Sequence, residues 1–354
     1  MTPVDEPGAF HRDAFVFDGH NDMALRVLDG ADPAEPAGTG HMDLPRMREG
    51  GLDGGIFAVW IDPACDDPLE RTLDGVRRFR DALEAAPGFR PVLAPGDLSA
   101  AVEAGEVAAL VGVEGGYGVE EDLEAVDRIH GAGARCFTLT WMEPTSWADA
   151  AGAPPRHGGL TDFGGRVVDR LQERGVLVDV SHASDETTGQ VLARAERPVA
   201  ASHSGCRAVA GHPRNLPDRL LEELAENGGL VGVNFFPGYL DAERGRRFDR
   251  LRREGVDLFS PDGRSAMEEA TRDLPPVGLE RIAEHAEHAA RVAGPEAVGL
   301  GSDFDGVPSL PDGLEDVSDL PRLTGVLADR GMGPEDLRGV LGESFRRVVS
   351  EALA

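Results

Sequence analysis

The stretch AFVFDGHND (residues 14–22) joins an apolar run to a polar segment, and its pattern bears directly on the fold. The apolar run ends at Asp18, a glycine follows, and His20 and Asp22 come next, separated by one residue. Such a run is typical of a strand that is buried on both faces. Two interpretations of its end remain open: a polar turn that closes the strand, or a pair of side chains that binds a metal ion.

Seven further apolar runs resemble this one and alternate with longer amphipathic segments. Spacings of three and four residues predict helices at 160–175, 218–229 and 278–294. Eight buried strands alternating with helices predict a (β/α)8 barrel of the TIM type, an α/β fold, in a single domain over residues 1–354. The strands are predicted at 14–20, 54–61, 107–115, 135–141, 175–182, 198–204, 230–236 and 297–304.

Two segments interrupt this alternation. Residues 29–53 are rich in Pro and Gly, and residues 240–276, after the seventh predicted strand, are highly charged. We interpret both as loop excursions from the barrel. On the helical segment that follows, His285 and His288 lie three residues apart among Glu and Arg, and we expect both to face solvent.

The charge of the chain limits its partners and its chemistry. A formal net charge of −29 argues against nucleic acid and anionic membranes as partners. All 35 basic residues are Arg, which excludes a Schiff-base lysine, a P-loop lysine and a carbamylated lysine between two metals. If a side chain bridges two metal ions here, it must be Asp or Glu.

Cysteine usage and the chain ends indicate the compartment. The three cysteines are far apart and form no CxxC pair, so neither a disulfide framework nor a thiolate zinc site is indicated. The first residues lack a basic segment followed by an apolar one, and no run approaches the ~18 apolar residues of a membrane span. We therefore expect a cytoplasmic protein.

Six histidines and carboxylates fall at the ends of five predicted strands. In a barrel these ends meet at one face, so the side chains would converge on one cavity. Any one of them could merely cap a helix or close a turn, but three imidazoles and three carboxylates together suit Zn²⁺, Mn²⁺ or Fe²⁺. The six residues are His20, Asp22, Glu114, His182, His203 and Asp303.

The spacing of these residues predicts two metal ions. His20 and Asp22 are two apart, so their side chains can reach one ion from the same side of a strand. His182 and His203 come from neighbouring strands and could hold a second ion, and Glu114 has two oxygens with which to bridge both. A two-metal site lowers the pKa of a bound water and polarises a carbonyl, which is typical of hydrolysis.

The motifs that contain these residues resemble those of the membrane (renal) dipeptidase family, binuclear zinc peptidases of the amidohydrolase-type barrels. The resemblance runs from near the N-terminus almost to the C-terminus, in matching order and spacing. The matching stretches are DGHND (18–22), DLPRMREGGL (43–52), EGG (114–116), TLTW (138–141), WAD (147–149), GVLVDVSHASDET (175–187), SHSGCRAVAGHPRNLPD (202–218), VNFF (233–236), GSDFDGVP (301–308) and PDGLEDVSDLPRL (311–323).

The resemblance implies a role for each site residue. His20, Asp22 and Glu114 would ligate one zinc, and Glu114, His182 and His203 the other. A further three residues would serve the substrate and its reaction. Arg214 would hold the C-terminal carboxylate of a dipeptide, Tyr239 would line the pocket, and Asp303 would carry a proton to the leaving amine, with Asp305 as its nearest rival.

One position departs from the family pattern. After the fourth predicted strand, where the best-known members carry a histidine, this chain has Trp141. Tryptophan can donate one N–H but cannot be protonated. We expect this difference to affect the substrate range and the rate.

These residues and the resemblance together favour the interpretation that the protein is a dipeptidase with two Zn²⁺ per chain, for which Mn²⁺, Co²⁺ or Fe²⁺ could substitute. Its substrates would be small dipeptides, including those with a C-terminal D-residue, and the resemblance also implies a homodimer. One alternative is a hydrolase of another small amide, a lactam or a Cys-Gly conjugate. Another is a metal-binding barrel without catalysis.

Overall fold

The computed structural model describes residue 4 and residues 6–354, and within them short strands alternate with helices. The strands are β1 Phe17–Asn21, β2 Gly54–Trp60, β3 Phe89–Pro91, β4 Val107–Glu114, β5 Cys136–Thr138, β6 Leu177–Asp179, β7 Ala200–Ser204, β8 Leu230–Asn234 and β9 Val298–Gly301. The helices are α1 Pro7–Asp13, α2 Met23–Leu28, α3 Leu44–Glu49, α4 Pro68–Ala85, α5 Pro95–Ala104, α6 Glu124–Ala132, α7 Asp162–Glu173, α8 Asp185–Leu192, α9 Asp218–Glu226, α10 Pro237–Leu240, α11 Ala242–Arg253, α12 Pro261–Thr271, α13 Leu279–Ala293, α14 Leu320–Asp329, α15 Pro334–Arg338 and α16 Ser344–Leu353.

All strand pairs are parallel, and eight of the strands close into a barrel. The order is β1, β2, β4, β5, β6, β7, β8 and β9, with β9 returning to β1. The predicted (β/α)8 barrel is therefore confirmed. Parallel strands place all of their carboxyl ends at one face, which is where the predicted site residues lie.

Strand β3 was not predicted, and it does not belong to the closed ring. It pairs with β4 at the amino-terminal end, where Phe89 faces Val107, whereas β5 pairs with β4 further along, where Gly112 faces Cys136. Since β2 occupies the other edge of β4 over its whole length, β3 and β5 share one edge. Three residues are too short a run for an apolar periodicity to indicate a strand.

The barrel interior is filled at its amino-terminal end by apolar side chains and by α16. Phe17 of β1 packs against Phe345 of α16, with 5.3 Å between ring centroids. A Cβ on Gly19 would lie 2.2 Å from the Phe345 ring, so the glycine of the DGHND motif is required by this closure. The carboxyl-terminal end of the barrel therefore stays open while the amino-terminal end is packed shut.

Both predicted excursions depart from the barrel, but they contain helices. The Pro- and Gly-rich residues 29–53 include α3, and the charged residues 240–276 form α11 and α12. The second excursion follows β8 and reaches over the carboxyl ends of the strands. No helix in the described part of the chain has both the length and the apolarity needed to cross a bilayer.

The solvent-facing prediction for His285 is wrong. Its side chain is buried, and its Nδ1 accepts a hydrogen bond from the backbone N–H of Cys206 at 2.9 Å. Burial lowers the pKa of His285 to about 3, so the ring stays neutral. Helix α13 turns this residue towards the barrel because it lies on the same face as the apolar Ile282 and Ala289.

Candidate metal centre and substrate cavity

Three imidazoles converge on one carboxylate at the carboxyl ends of the strands. The Oε1 of Glu114, at the end of β4, lies 3.0 Å from the Nε2 of His182, 3.5 Å from that of His203 and 3.7 Å from that of His20. The His20 Nε2 also lies 3.6 Å from Asp22 Oδ2. The barrel thus brings together all five residues that the sequence analysis named as metal ligands.

The donor atoms of this cluster have the properties that a metal ion needs. The Nε2 atoms of His20 and His203 are buried and have no hydrogen-bond partner in the described chain. Burial lowers the pKa of both His182 and His203 well below its ordinary value, so each ring keeps a lone pair for a cation. Burial raises the pKa of Glu114 well above its ordinary value, and a bound cation would offset that cost.

Two overlapping groups of ligand atoms are compact enough to bind an ion. His20, Glu114 and His203 form one group, and His20, Asp22 and Asp303 form the other, with ligand atoms within 4.8 Å of one another. Both groups contain His20, so the two candidate positions adjoin. The residues therefore fit one metal ion or a close pair of ions.

Two of the site side chains sit on strained backbone. His182 has φ = 66° and Asp303 has φ = 62°, a left-handed conformation that a residue with a Cβ adopts at an energetic cost. Each lies just beyond the end of its strand, β6 and β9. The turn reverses the chain there and directs the side chain into the cavity, a pattern associated with functional sites.

A hydrogen-bond chain behind His203 determines which of its nitrogens carries the proton. Ser202 Oγ donates to Asp179 Oδ2 at 2.6 Å and lies 2.8 Å from His203 Nδ1. Because the hydroxyl proton goes to the carboxylate, Ser202 Oγ accepts from His203 Nδ1–H. The Nε2 of His203 is therefore the unprotonated nitrogen, and it faces Glu114.

A second buried carboxylate–serine pair joins β1 and β9. Asp18 of β1 accepts hydrogen bonds from the backbone N–H and the Oγ of Ser302, both at 2.7 Å. This contact joins the ends of β1 and β9, so His20 and Asp303 are held next to each other. The sequence analysis missed Asp18 and Asp179, because a carboxylate near a strand end has the same local signature whether it caps a turn or holds a neighbour.

Asp303 and its rival Asp305 have different surroundings. Asp303 Oδ2 accepts a hydrogen bond from Asn234 Nδ2 at 2.8 Å, and its Oδ1 accepts none from the described residues. Asp305 pairs with Arg26, whose Nη2 lies 2.7 Å from its Oδ2. Asp305 is thus committed to a structural ion pair, whereas Asp303 keeps an oxygen free towards the cavity.

Arg214 is buried without an acidic partner among the residues described. Its Nη2 donates to the backbone oxygen of His203 at 3.1 Å, and its guanidinium carbon lies 5.2 Å from the ring centroid of Tyr239. His212 accepts the backbone N–H of Arg214 at 3.2 Å and packs on Tyr239. A buried cation that only neutral groups contact is arranged to receive an anion.

Trp141 forms part of the cavity wall. Its ring lies 5.1 Å from that of Trp60 in an edge-to-face arrangement and 6.3 Å from the ring of His182. The cavity that these rings line measures about 460 Å³ and also contains Glu114 and Asp303. The sequence analysis missed Trp60, which ends β2 within a continuous apolar run.

Comparisons with known proteins agree with this geometry. A family model described as membrane dipeptidase, peptidase family M19, matches residues 5–354. The solved structure of dipeptidase AC, a metallopeptidase of family M19, is 28% identical, with 96% of this chain and 99% of that chain covered and a TM-score of 0.81.

Two further solved structures are similar. A metallopeptidase from Rhodobacter sphaeroides, bound to a phosphinate mimic of the dipeptide L-Ala-D-Ala, is 26% identical, with 96% of this chain and 99% of that chain covered and a TM-score of 0.80. The probable dipeptidase PvdM from Pseudomonas aeruginosa is 24% identical, with 98% and 97% covered and a TM-score of 0.84, and shows the same fold.

The family model covers nearly the whole chain, and the predicted resemblance is confirmed. A metal cofactor and hydrolytic chemistry follow from it. The chain is a metal-dependent hydrolase that belongs to the membrane dipeptidase family, peptidase family M19.

Proposed function

We propose that this protein is a dipeptidase with two zinc ions per chain. His20, Asp22 and Glu114 would hold one ion, and Glu114, His182 and His203 the other. The observation that carries the proposal is the approach of three imidazole Nε2 atoms to Glu114 Oε1 within 3.0–3.7 Å. One carboxylate among three imidazoles would suit a ligand shared by two borderline cations.

The chain's own groups would divide the remaining work. When bound, the ions supply a water of lowered pKa and polarise the scissile carbonyl. Asp303, held by Asn234 through one oxygen, has the other available to carry a proton to the departing amine. Arg214 would bind the C-terminal carboxylate with its guanidinium, which restricts the substrate to peptides whose C-terminus lies close to the scissile bond.

Dipeptides with a C-terminal D-residue belong to the proposed substrates. The relative from Rhodobacter sphaeroides was solved with a mimic of L-Ala-D-Ala, and its structure matches 96% of this chain. The alternative is hydrolysis of another small amide, a lactam or a Cys-Gly conjugate. The observation that supports it is the aromatic cavity wall formed by Trp141 and Trp60.

A cytoplasmic location and a homodimer stay predictions.

Metal reconstitution followed by a substrate panel tests the proposal. Protein stripped with a chelator is reloaded with Zn²⁺, Mn²⁺ or Co²⁺, its bound metal is counted, and L-Ala-L-Ala, L-Ala-D-Ala, N-acetyl-alanine and a lactam are assayed. We expect two metal equivalents and hydrolysis of the dipeptides above the other compounds. Absence of dipeptide turnover with every metal, or turnover of the lactam alone, would overturn it.

Replacing Ser202 with Ala is expected to weaken metal binding by about 10- to 100-fold. The change removes the acceptor of His203 Nδ1–H, so the proton can move to the nitrogen that faces Glu114. Competition of the apoprotein with a fluorescent zinc chelator measures the affinity without reference to activity. Wild-type zinc affinity in Ser202→Ala would show that this hydrogen bond does not control the tautomer.

Replacing Gly306 with Ala is expected to displace Asp22 and lower the metal affinity by about 10-fold or more. A Cβ at this position would lie 1.9 Å from Asp22 Oδ2 and 2.6 Å from Asp303 Oδ1. Gly325→Ala in α14 is the matched control, since its Cβ would have no atom within 4 Å. Titration calorimetry with Zn²⁺ compares the two variants, and equal affinities would refute the steric explanation.

A further inference from the structure

The cavity that contains Glu114, His182 and Asp303 has one polar side and one apolar side. The polar side is the candidate metal centre. The apolar side is formed by aromatic and aliphatic side chains from separate elements of the barrel and its excursions: Trp60, Trp141, Met142, Leu258, Phe259 and Val307. An apolar wall of this kind next to reacting groups suits the side chain of a bound substrate.

Phe259 is the most exposed apolar member of this wall. It lies between α11 and α12, in the excursion that reaches over the barrel, and its exposure is 52%. The other exposed large apolar residue in the described chain is Leu93, at 37%, and it follows β3 at the opposite end of the barrel. When an apolar group of a ligand covers an exposed phenylalanine at a cavity mouth, the loss of water-exposed apolar surface stabilises the complex.

A second cavity adjoins the first and differs in charge. It measures about 380 Å³ and contains Arg214, Arg252, Arg253 and Asp249. The two cavities share Met142, Phe236, Tyr239 and Leu258, so one short ligand can extend from one into the other. The charged cavity suits the carboxylate end of a dipeptide, which leaves the aromatic cavity for the residue on the other side of the scissile bond.

We propose, given the dipeptidase activity proposed above, that the enzyme prefers dipeptides whose N-terminal residue has an apolar side chain of leucine size or larger. With the C-terminal carboxylate at Arg214 and the scissile carbonyl near Glu114, the N-terminal side chain lies against Trp60, Trp141 and Phe259. A polar side chain of similar size would lose its water there without gaining a hydrogen-bond partner, and this disfavours its binding.

Paired dipeptides of matched size test this preference on the metal-loaded enzyme. We expect kcat/KM for Leu-Ala to exceed that for Asn-Ala by about 10-fold or more, whereas Ala-Leu and Ala-Asn differ by less than about 3-fold. Phe259→Ser should reduce the Leu-Ala to Asn-Ala ratio, chiefly through KM. The matched control Leu93→Ser, at the other exposed apolar residue, should leave that ratio unchanged.

The possible failures are distinguishable. Equal kcat/KM for Leu-Ala and Asn-Ala, or a preference that resides in the C-terminal residue, would overturn the inference while leaving the dipeptidase proposal intact. An unchanged ratio of kcat/KM for Leu-Ala to that for Asn-Ala in Phe259→Ser would show that Phe259 does not contact the N-terminal side chain. No hydrolysis of any dipeptide by the loaded enzyme would overturn the proposed function and this inference with it.

Discussion

Glu114→Gln is expected to lower kcat/KM for dipeptides by about 1,000-fold or more and to reduce the bound metal below two equivalents. Glu114 Oε1 is the atom on which His20, His182 and His203 converge, at 3.0–3.7 Å. A glutamine has the same shape but carries no charge, and loss of several kcal/mol of charge stabilisation corresponds to a rate effect of this size. Metal analysis after reconstitution and steady-state kinetics measure the two effects.

The control for this variant is Glu103→Gln, an exposed carboxylate at the end of α5. It makes the same chemical change away from the barrel mouth and should keep both the metal content and the rate. Circular dichroism and thermal unfolding of the two apoproteins show whether each variant folds. A folded Glu114→Gln enzyme that holds two metal ions and hydrolyses dipeptides at the wild-type rate would contradict the bridging role.

Arg214→Met is expected to lower kcat/KM by about 100- to 1,000-fold, mainly by raising KM. Arg214 is buried, and its contacts are the backbone oxygen of His203, the hydroxyl of Ser204 and the ring of Tyr239. None of these groups neutralises its charge, so a substrate carboxylate would be its first anionic partner. Truncation of one member of a buried, hydrogen-bonded charge pair costs about 2–5 kcal/mol.

A pair of substrates identifies the group that Arg214 binds. The wild-type enzyme should prefer a dipeptide strongly over the same dipeptide with a C-terminal amide, because the amide has no charge. Arg214→Met should hydrolyse both at similar low rates, and Arg214→Lys should keep part of the preference, since a lysine retains the charge without the planar fork. An unchanged acid-to-amide ratio in Arg214→Met would place the carboxylate elsewhere.

Much of the candidate site could be predicted because its residues lie at strand ends. In a barrel of parallel strands, a polar residue after an apolar run faces the same mouth as its counterparts on other strands. This is why His20 and Glu114, far apart in sequence, could be assigned to one cluster from the pattern alone. The choice of Asp303 over Asp305 depended on the resemblance, and the ion pair between Arg26 and Asp305 now supplies a physical reason.

Other features were not visible in the sequence. Asp18 accepts a hydrogen bond from Ser302, which lies 284 residues further along the chain. Asp179 fixes the orientation of His203 through Ser202. A buried carboxylate of this kind has no local signature, since its meaning depends on a partner that folding brings near. The burial of His285 was mispredicted for the same reason, because the charged neighbours on its helix concealed the face that packs on the barrel.

The sequence by itself determined the alternation of buried strands and helices, and with it the barrel, the mouth and the identity of the candidate ligands. These follow from apolar periodicity and from residue chemistry, which are local properties of the chain. The tertiary structure alone decided which nitrogen of His203 is free and which aspartate has an available oxygen. It also decided that Arg214 lacks an acidic partner among the described residues, and that Trp60 and Phe259 face the same cavity as His182. Those outcomes depend on distances between groups from different strands, and only closure of the barrel determines such distances.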